Sequence, residues 1–517
     1  MTLVAPETAA ALPGDPPTPP APPSVESTIA AMQAKPRYAH SLWGVEVRDL
    51  ATGEVLIARN SQQLYVPGSI FKTFSTANVL HRRGRDSRFR TPVHRLGRVR
   101  GGTLHGDLAL VAGGDFSFGL RDRPNGTLGF NSFPQIDHNY AYTGLPGPAL
   151  LPHSHPLAGV ADLARQVRKA GIRRVAGNVV VDDRLFRSTD QWPDGLISPI
   201  WVNENVLDMR AFPTRPGRRA KVRWRPHTPL WRVVNRVRTG NAGASPGLDV
   251  AQTGPGEVTL SGTVPAGKPP VLQIFQIPDP AAFARSAFIS ALRRHGVVVA
   301  ARATGANPRR LLPRRFSYPR ATRLAQRVSP PLSQYTKVVL KVSYNRGADL
   351  MLCLAAAKLG RRSCDAGLVS ELRNNAALGA PGTTTFAFDG AGSDDRSRTT
   401  PSDMTAFLRA VASQPYGAAL RDGLPIVGVD GTLAGVGKGT PYAGKIQAKT
   451  GNRVYFLTAN APGLAGGQAH VGYIQAASGR QLVFADLISN TPLAEPLEIT
   501  QLDADMAAIE GAIQQAY

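Results

Sequence analysis

Apolar and polar residues alternate in two short runs near the start of the chain. The runs SLWGVEVRDL (41–50) and EVLIARN (54–60) flank the turn sequence Ala-Thr-Gly at 51–53. Alternation with a period of two sends successive side chains to opposite faces, so the two runs and their turn predict a β-hairpin. A short helix is predicted before the hairpin, over residues 24–35.

The pattern changes between about residues 90 and 325. Short strand-like runs such as GDLALVAGG, VAGNVVVDD and EVTLSGTV alternate there with loops rich in Pro, Gly and Arg. One helical run interrupts them, around 161–171, and no internal repeat is present. Strands separated by turn residues at this spacing predict β-rich structure.

Helical spacing returns after residue 325. Apolar residues recur at helical positions in three runs, at 343–360, 364–379 and 401–413. Three strand-like runs follow, AGKIQAKTG, AHVGYIQAAS and RQLVFADLIS, and the chain ends in a predicted helix at 498–516. Both ends of the sequence therefore contribute to one α/β layer, into which the middle is inserted.

A length of 517 residues exceeds what one hydrophobic core usually serves, because single cores stop growing at ~250–300 residues. The predicted fold class is α/β (α+β), with one or two smaller β-rich domains inserted into the main domain. The predicted segments are a flexible Ala/Pro-rich leader at 1–26, a discontinuous α/β domain at 27–90 and 326–517, and the inserted region at 91–325.

The chain is strongly basic, with a formal net charge of +24 and a pI of about 10.7. Such a charge favours either a nucleic acid or work beside another anionic polymer, where positive potential raises the local substrate concentration. The arginines are spread thinly, and no aromatic-plus-basic motif of the RNA-binding kind is present. We therefore expect no nucleic-acid partner.

The cysteines and the N-terminus bear on the compartment. Cys353 and Cys364 match no zinc or CxxC spacing, so they predict either two buried thiols or one disulfide, and a disulfide needs an oxidising compartment. No run is long enough for a transmembrane helix. Residues 1–23 lack the basic and apolar regions of a signal peptide and are interpreted as a leader or stalk.

A single Ser-x-x-Lys motif occurs, at Ser69–Lys72, where an apolar helix is predicted to open at Ser69 behind the chain break Pro67-Gly68. Positions i and i+3 share a helix face, so the Lys72 ammonium is expected beside the Ser69 hydroxyl. A serine hydroxyl needs a neighbouring base to become a nucleophile, and a desolvated lysine can be that base. N–H groups at a helix N-terminus also stabilise an oxyanion.

Two further motifs follow in the chain. Ser343–Asn345 is a Ser-x-Asn, with a hydroxyl that can relay a proton and an amide that both donates and accepts. Lys449–Gly451 is a Lys-Thr-Gly on a predicted strand, with a second cation, a hydroxyl, and a glycine that lets substrate approach the backbone. The structural alternative is a helix N-cap for the Ser-x-Asn motif and an ordinary strand-end turn for the Lys-Thr-Gly motif. The three motifs in this order are those of β-lactamases and penicillin-binding proteins.

On these motifs the chain resembles the low-molecular-mass class C penicillin-binding proteins, the three-domain D-alanyl-D-alanine carboxypeptidases/endopeptidases. The resemblance extends over nearly the whole chain beyond the leader and includes GDLALVAGGD (106–115), VNENV (202–206) and FDGAGSDDRSR (388–398). It implies a transpeptidase/β-lactamase-like domain with two inserted domains. Ser343 lies 274 residues after Ser69, far more than in class A β-lactamases, which favours the peptidases.

The resemblance implies a catalytic role for three side chains. Ser69 is then the nucleophile, Lys72 is the base that activates it, and Ser343 passes a proton toward the leaving D-Ala nitrogen. The chemistry so implied needs no metal and no cofactor.

Substrate binding is implied for five further residues. Asn345 holds the peptide amide of the substrate, while Lys449 and Thr450 bind its terminal carboxylate beside Gly451. The backbone N–H of Asn452, with that of the nucleophile, forms the oxyanion hole, usually the largest electrostatic contribution in acyl transfer. The family usually has Thr or Ser where this chain has Asn452, whose amide donates from a longer arm.

The implied substrate is a peptidoglycan stem peptide ending in D-Ala-D-Ala, or a D-Ala cross-link, and β-lactams are the implied inhibitors. The implied location is outside the cytoplasmic membrane, in the periplasm or cell wall, and peripheral to the membrane at most. Two alternatives remain: a β-lactamase or D-amino-acid amidase of the same fold, and a catalytically weak cell-wall-binding protein.

A long segment separates Gly451 from Val471, which predicts an extended hairpin with the Gly-rich tip PGLAGG (462–467). This hairpin is interpreted as a neutral surface insertion, with a wall of the cleft as the alternative.

Other candidates are interpreted as structural. Glu371 is expected on a surface helix, and His153 and His155 in a solvated loop without a third metal ligand. Trp192 and Asp194 lie where the resemblance places the pocket for the side chain of the diamino acid, and an acidic group there would suit an ammonium.

Overall fold

The computed structural model describes residues 23–135, 137–141, 149–191, 194–314, 318–456, 463–495 and 498–517. The chain forms two compact units. The first comprises Met1–Phe74 and Leu372–Tyr517, and the second comprises Ser75–Glu371. The domain boundaries predicted from the sequence stay a prediction.

The helices are, in chain order, α1 (Pro23–Gln33), α2 (Lys72–Arg83), α3 (Ala158–Lys169), α4 (Pro280–Arg294), α5 (Leu332–Lys341), α6 (Asn345–Lys358), α7 (Asp365–Ala377), α8 (Pro401–Ala412), α9 (Gly417–Gly423) and α10 (Ile499–Ala516). The strands are β1 (Leu42–Asp49), β2 (Val55–Arg59), β3 (Arg88–Arg100), β4 (Thr103–Val111), β5 (Arg174–Val175), β6 (Val179–Asp182), β7 (Thr189–Gln191), β8 (Gly195–Ile197), β9 (Val206–Phe212), β10 (Lys221–Arg225), β11 (Arg232–Gly240), β12 (Gly247–Gly254), β13 (Glu257–Pro265), β14 (Val271–Gln276), β15 (Val298–Val299), β16 (Arg323–Pro331), β17 (Ile446–Phe456), β18 (Gly463–Gln475), β19 (Gln481–Ser489) and β20 (Thr491–Leu493).

The first unit is built on one antiparallel sheet with the strand order β17-β18-β19-β1-β2, to which β20 adds by pairing with β18. The predicted hairpin β1–β2 and the contribution of both chain ends are confirmed. Helices α1 and α10 pack on each other, and Trp43, Phe484 and Ile509 lie in the core. The chain therefore closes on itself, since the strand that follows α1 pairs with a strand from the last 40 residues.

Two details of this unit differ from the prediction. The turn that carries Ser69 is a 3-10 helix, Gly68–Phe71, and α2 begins only at Lys72 and not at Ser69. Gly68, at the start of the turn, has a φ of 52°, outside the α-helical region. The hairpin β17–β18 is long, as expected, but its Gly-rich segment is strand and not tip: Gly463 pairs with Phe456, and Gly467 pairs with Arg453.

The second unit carries the β-rich region. Its sheets have the orders β15-β5-β4-β3-β16 with β6 on β4, β10-β9-β14, β11-β13-β12, and β7-β8. One hydrophobic cluster joins the first three, running from Val93 through Val258 to Ala325. Helices α3 and α4 pack on each other beside the first of them.

Two helices of the second unit were not predicted. Twelve of the 15 residues of α4 are buried, so its sequence lacks the polar face by which helical spacing is recognised. The only sequence signal for α4 is at its start, where Asp279 is the N-cap and Pro280 is the first helical residue. The Asp279 carboxylate accepts a hydrogen bond from the N–H of Ala282. The other helix, α5, follows Pro331 directly.

Cys353 in α6 and Cys364 before α7 form a disulfide, which decides between the two readings of the cysteines. No helix among the described residues has the length and apolarity needed to cross a membrane.

We expect the disulfide to stabilise the second unit by about 2–3 kcal/mol, because it closes a short loop and so constrains the unfolded chain. A reductant should lower the urea midpoint of the native protein, whereas the double variant Cys353→Ser/Cys364→Ser should start from the lower midpoint and not respond. An unchanged midpoint of the reduced native protein would contradict this expectation.

Candidate active site

Ser69 and Lys72 face each other across one turn in the first unit. Lys72 Nζ donates to Ser69 Oγ at 2.6 Å and to the carbonyl of Ala391 at 2.9 Å. The Lys72 side chain is completely buried. Desolvation favours the neutral form of an amine, which is the form that accepts a proton. The pair therefore has the contact that a nucleophile and its base require.

The loop that presents the Ala391 carbonyl is organised by Asp389. Its carboxylate accepts hydrogen bonds from four successive backbone N–H groups, those of residues 391–394, at 2.5–3.0 Å. The sequence reasoning did not identify either residue as part of the site. The signal was present, since an acid followed by Gly-Ala-Gly-Ser is the composition of a turn whose N–H groups converge on one carboxylate.

Strand β17 passes very close to the nucleophile turn. A Cβ on Gly451 would lie 2.2 Å from the carbonyl oxygen of Pro67, and one on Gly68 would lie 2.7 Å from the backbone nitrogen of Asn452. A Cβ on Gly392 would lie 1.9 Å from the carbonyl oxygen of Gly68. Packing against the protein's own backbone therefore requires glycine at the third position of the Lys-Thr-Gly motif. The cause predicted from the sequence was instead the approach of substrate.

Lys449 is a second buried lysine in this unit. Its side chain has no exposed area, and Nζ donates to the carbonyl of Thr450 at 2.7 Å. Burial and, next, the charge of Lys72 hold the pKa of Lys449 well below its usual range, while Asp503 acts in the opposite direction. The site therefore disfavours a positive charge on both lysines at once.

The residues on either side of the motif glycine differ in exposure. The Thr450 hydroxyl lies 2.9 Å from the hydroxyl of Thr432, a residue that the sequence reasoning did not identify. Asn452 is exposed. Beyond it, Arg453 and Tyr455 of β17 donate to the same carboxylate oxygen of Asp395, so the extended strand is tied to the loop that carries Asp389.

A buried ionic cluster lies under the same strand. His470 on β18 pairs with Thr450 in the sheet register, and its two ring nitrogens contact Glu510 at 2.7 Å and Asp503 at 3.0 Å. Burial by itself would lower the pKa of His470, but the two carboxylates outweigh burial and raise it to about 10. Burial also raises the pKa of Asp486 to about 8.

Ser343 and Asn345 belong to the second unit. Ser343 precedes α6 with a φ of 54°, a left-handed conformation that costs a non-glycine residue about 1–2 kcal/mol. The Asn139 amide holds this turn by donating to the carbonyls of Val342 at 2.7 Å and Ser343 at 3.0 Å. No sequence signal pointed to Asn139, which precedes Ser343 by 204 residues.

Asn345 is fixed by an acidic neighbour. Its Nδ2 donates to Asp194 Oδ1 at 2.7 Å, while its Oδ1 is buried without a partner among the described residues. An amide so held keeps its Oδ1 as a hydrogen-bond acceptor. Both residues line a small cavity with His138 and Gln276. Trp192, predicted to share a pocket with Asp194, lies outside the described residues.

The VNENV segment supports this part of the second unit. Residues 203–205 have φ values of 50–54°, and the Glu204 carbonyl accepts from Arg346 Nη1 at 2.8 Å. The Glu204 carboxylate contacts Arg121 and His138, both buried. Burial alone would lower the pKa of His138, but its hydrogen bonds to Asp208 and Glu204 prevail and raise it to about 9.

One of the residues interpreted as structural is placed differently. Glu371 lies in α7 but is fully buried, so the expected surface helix is wrong at this position, because an α7 face packs inward. His153 and His155 are exposed. No group of three His, Cys, Asp or Glu side chains with metal-site geometry occurs among the described residues.

The fold and the motif residues define the class of serine acyl-transfer enzymes with a Ser-x-x-Lys turn against a Lys-Thr-Gly strand. Residues 25–512 match the model of the D-Ala-D-Ala carboxypeptidase 3 (S13) family, and the chain belongs to that family. The chain is similar to the D-alanyl-D-alanine carboxypeptidase of Actinomadura sp. (strain R39), with 26% identity over 92% of this chain and 82% of that protein.

The chain is also similar to the D-alanyl-D-alanine carboxypeptidase DacB of Haemophilus influenzae, with 24% identity over 63% of this chain and 68% of the relative. The crystal structure of penicillin-binding protein 4 from the same organism aligns with a TM-score of 0.69 at 18% identity, over 95% of this chain and 99% of that one. This likeness confirms the predicted fold class.

The cluster around His470 predicts a pH dependence of stability. Because its pKa is raised above the ordinary 6.5, the folded state binds the proton more tightly, and the stabilisation is complete below pH 6.5 and lost as pH rises through about 10. In His470→Gln, the free energy of unfolding in urea should fall less between these two pH values than in the native protein. The exposed His40→Gln should behave like the native protein, and an unaltered slope in His470→Gln would contradict the assignment.

Asn139→Asp tests whether Asn139 positions Ser343. A carboxylate cannot donate to the two carbonyls, so we expect acylation by a penicillin to slow by about ten- to a hundredfold, as one lost positioning contact does. Asn131→Asp is the matched control, since Asn131 donates at 3.1 Å to the carbonyl of Ala149 alone. An equal loss in both variants, or a loss explained by a lower unfolding temperature, would make the role of Asn139 structural only.

Proposed function

We propose that the protein is a serine-type D-alanyl-D-alanine carboxypeptidase/endopeptidase that acts on peptidoglycan stem peptides through an acyl-enzyme on Ser69. The observation that carries this proposal is the 2.6 Å contact of Ser69 Oγ with the buried amine of Lys72. Membership of the S13 family supports the choice of substrate. The relatives from Actinomadura and Haemophilus influenzae carry the same activity in their names.

In the proposed reaction, Ser69 Oγ attacks the carbonyl carbon of the penultimate D-Ala while Lys72 takes the hydroxyl proton. The oxyanion that forms accepts hydrogen bonds from the backbone N–H groups of Ser69 and Asn452. The close approach of Gly68 to the Asn452 nitrogen supports this pairing, because it brings the N–H of Asn452 on β17 near the turn that carries the N–H of Ser69. Water then hydrolyses the ester.

The remaining roles are proposals that rest on the motifs. Ser343 passes a proton to the leaving D-Ala nitrogen, and Asn345 accepts from the substrate amide through its unpartnered Oδ1. Lys449 and Thr450 bind the terminal carboxylate through the Lys449 amine and the Thr450 hydroxyl, which lie on neighbouring residues of β17. We propose that the exposed Asn452 amide replaces the hydroxyl of the Thr or Ser that the family usually has at this position. The Asn side chain is longer, so its hydrogen bond to the substrate carboxylate is weaker.

We further propose that the protein works outside the cytoplasmic membrane, where its substrate is located. The disulfide between Cys353 and Cys364 supports an oxidising compartment. The proposed inhibitors are β-lactams, which resemble the D-Ala-D-Ala terminus and acylate the same serine.

A fluorescent penicillin followed by intact mass tests the proposal. We expect a one-to-one adduct with the native protein and none with Ser69→Ala. Lys72→Gln should form the adduct about 10²–10⁴ times more slowly, the range that loss of a general base produces. Lys438→Gln is the matched control, because Lys438 is an exposed lysine of the same unit, and its rate should equal that of the native protein.

Two outcomes would overturn the proposal. Absence of an adduct in the native protein would favour a wall-binding protein over an enzyme. Rapid hydrolysis of the penicillin without accumulation of an adduct would indicate a β-lactamase.

A further inference from the structure

The positive charge of the chain is confined to one unit. Residues 75–371 contain 45 Lys and Arg against 18 Asp and Glu, a net charge of +27, whereas the rest of the chain contains 15 against 18. The unit with the nucleophile therefore carries a slightly negative charge. The proposed catalytic chemistry does not require the excess of positive charge in the second unit. This excess points to an anionic ligand of that unit.

A recessed pocket in the second unit brings three of these arginines together with three histidines. It has a volume of about 550 Å³ and lies between the loop before α3, the end of β10 and the C-terminal end of α4. Its floor is apolar and includes Leu157 and Pro226. Its walls carry three guanidinium groups and three imidazoles, those of Arg165, Arg225, Arg294, His155, His227 and His295.

Most of these groups lack an anionic partner. Within the described part of the chain, Arg294 and the three imidazoles make no ion pair and no side-chain hydrogen bond. Arg225 is held by Asp208 and by Ser154, which fixes one wall of the pocket. Arg294 and the imidazoles therefore keep N–H donors for an anionic ligand.

A second depression continues the first. It has a volume of about 390 Å³, shares His155, Ala161 and Arg165 with the pocket, and ends at Asp162 and Arg327. Asp162 is its acidic residue, and Arg165 at 3.1 Å and Arg327 at 4.0 Å neutralise it. The two depressions together exceed the size of one phosphate ion and form a path for successive anionic groups.

We propose that this pocket binds phosphate groups of a polyphosphodiester chain, at a site separate from the residues assigned to acyl transfer. Guanidinium forks and imidazole N–H groups can donate several hydrogen bonds at once to a tetrahedral oxyanion. A polymer fits better than a single phosphate because the path is long and the charge of the unit extends beyond it. The site would retain the enzyme on a wall that carries such a polymer.

A membrane headgroup fits less well. Binding at a lipid surface usually combines cations with apolar side chains that insert between the lipids. None of the large apolar side chains that are exposed in the described residues lines the pocket. The site is also concave, whereas a bilayer presents a flat surface.

A glycerol-phosphate oligomer is the probe for the full-length protein. Trp224 contacts His227, with ring centroids 4.1 Å apart and ring planes tilted by 57°, so binding should change the fluorescence of Trp224. We expect Arg165→Gln/Arg294→Gln to bind at least about tenfold more weakly, since each charge-assisted contact contributes ~1.5 kcal/mol or more. Arg98→Gln/Arg302→Gln removes the same charge from exposed arginines outside the pocket and should bind within a factor of about two.

Three results would overturn the proposal. They are an equal loss in both double variants, equal affinity for polyglutamate of the same charge, and stronger binding to duplex DNA or to anionic lipid vesicles than to the oligomer. Both double variants should still form the penicillin adduct at the native rate. That readout keeps the test separate from the proposed peptidase function and shows that the variants are folded.

Discussion

The contact between β17 and the turn Gly68–Phe71 is the constraint on which the site in the first unit depends. Three glycines let backbone meet backbone there, because a Cβ at 68, 392 or 451 would lie 1.9–2.7 Å from a backbone atom of a neighbouring segment. That approach places the Ser69 turn, the Asp389 loop and the Lys-Thr-Gly strand in one layer. Side-chain chemistry in this unit is therefore set by main-chain packing, which substitution of a side chain elsewhere does not easily disturb.

Burial of charge is the second constraint, and in both units buried charged side chains are paired with groups of opposite charge. In the first unit His470 is paired with two carboxylates under the strand that carries Lys449. In the second unit, His138 and Arg121 both contact the Glu204 carboxylate. The backbone carbonyl of Glu204 accepts a hydrogen bond from Arg346, which follows the Ser-x-Asn turn. A buried ion stripped of its partner is strongly destabilising, so these clusters rigidify the elements that present the motifs.

Local patterns carried most of what was predicted, and the misses follow from long-range packing. The hairpin β1–β2 and the Ser69–Lys72 pair follow from spacing within a few residues. Asn139 and Ala391 act through contacts more than 200 residues distant in sequence, which no periodicity encodes. Helix α4 was missed because it is buried almost all round, so tertiary burial removed the polar face that identifies a helix.

The net positive charge lies in the second unit, whereas Ser69 and Lys72 lie in the first. The proposed polymer binding and the Ser69–Lys72 pair therefore belong to different units. The proposed acyl transfer uses a few groups at fixed distances, among them two buried lysines. Retention on an anionic polymer needs many cations that stay hydrated, and the arginines of the second unit provide those. Exposed charges act over about 8 Å at physiological salt, so the arginines of the second unit act mainly on a ligand that contacts them. A chain with a net charge of +24 can thus be almost neutral around its nucleophile.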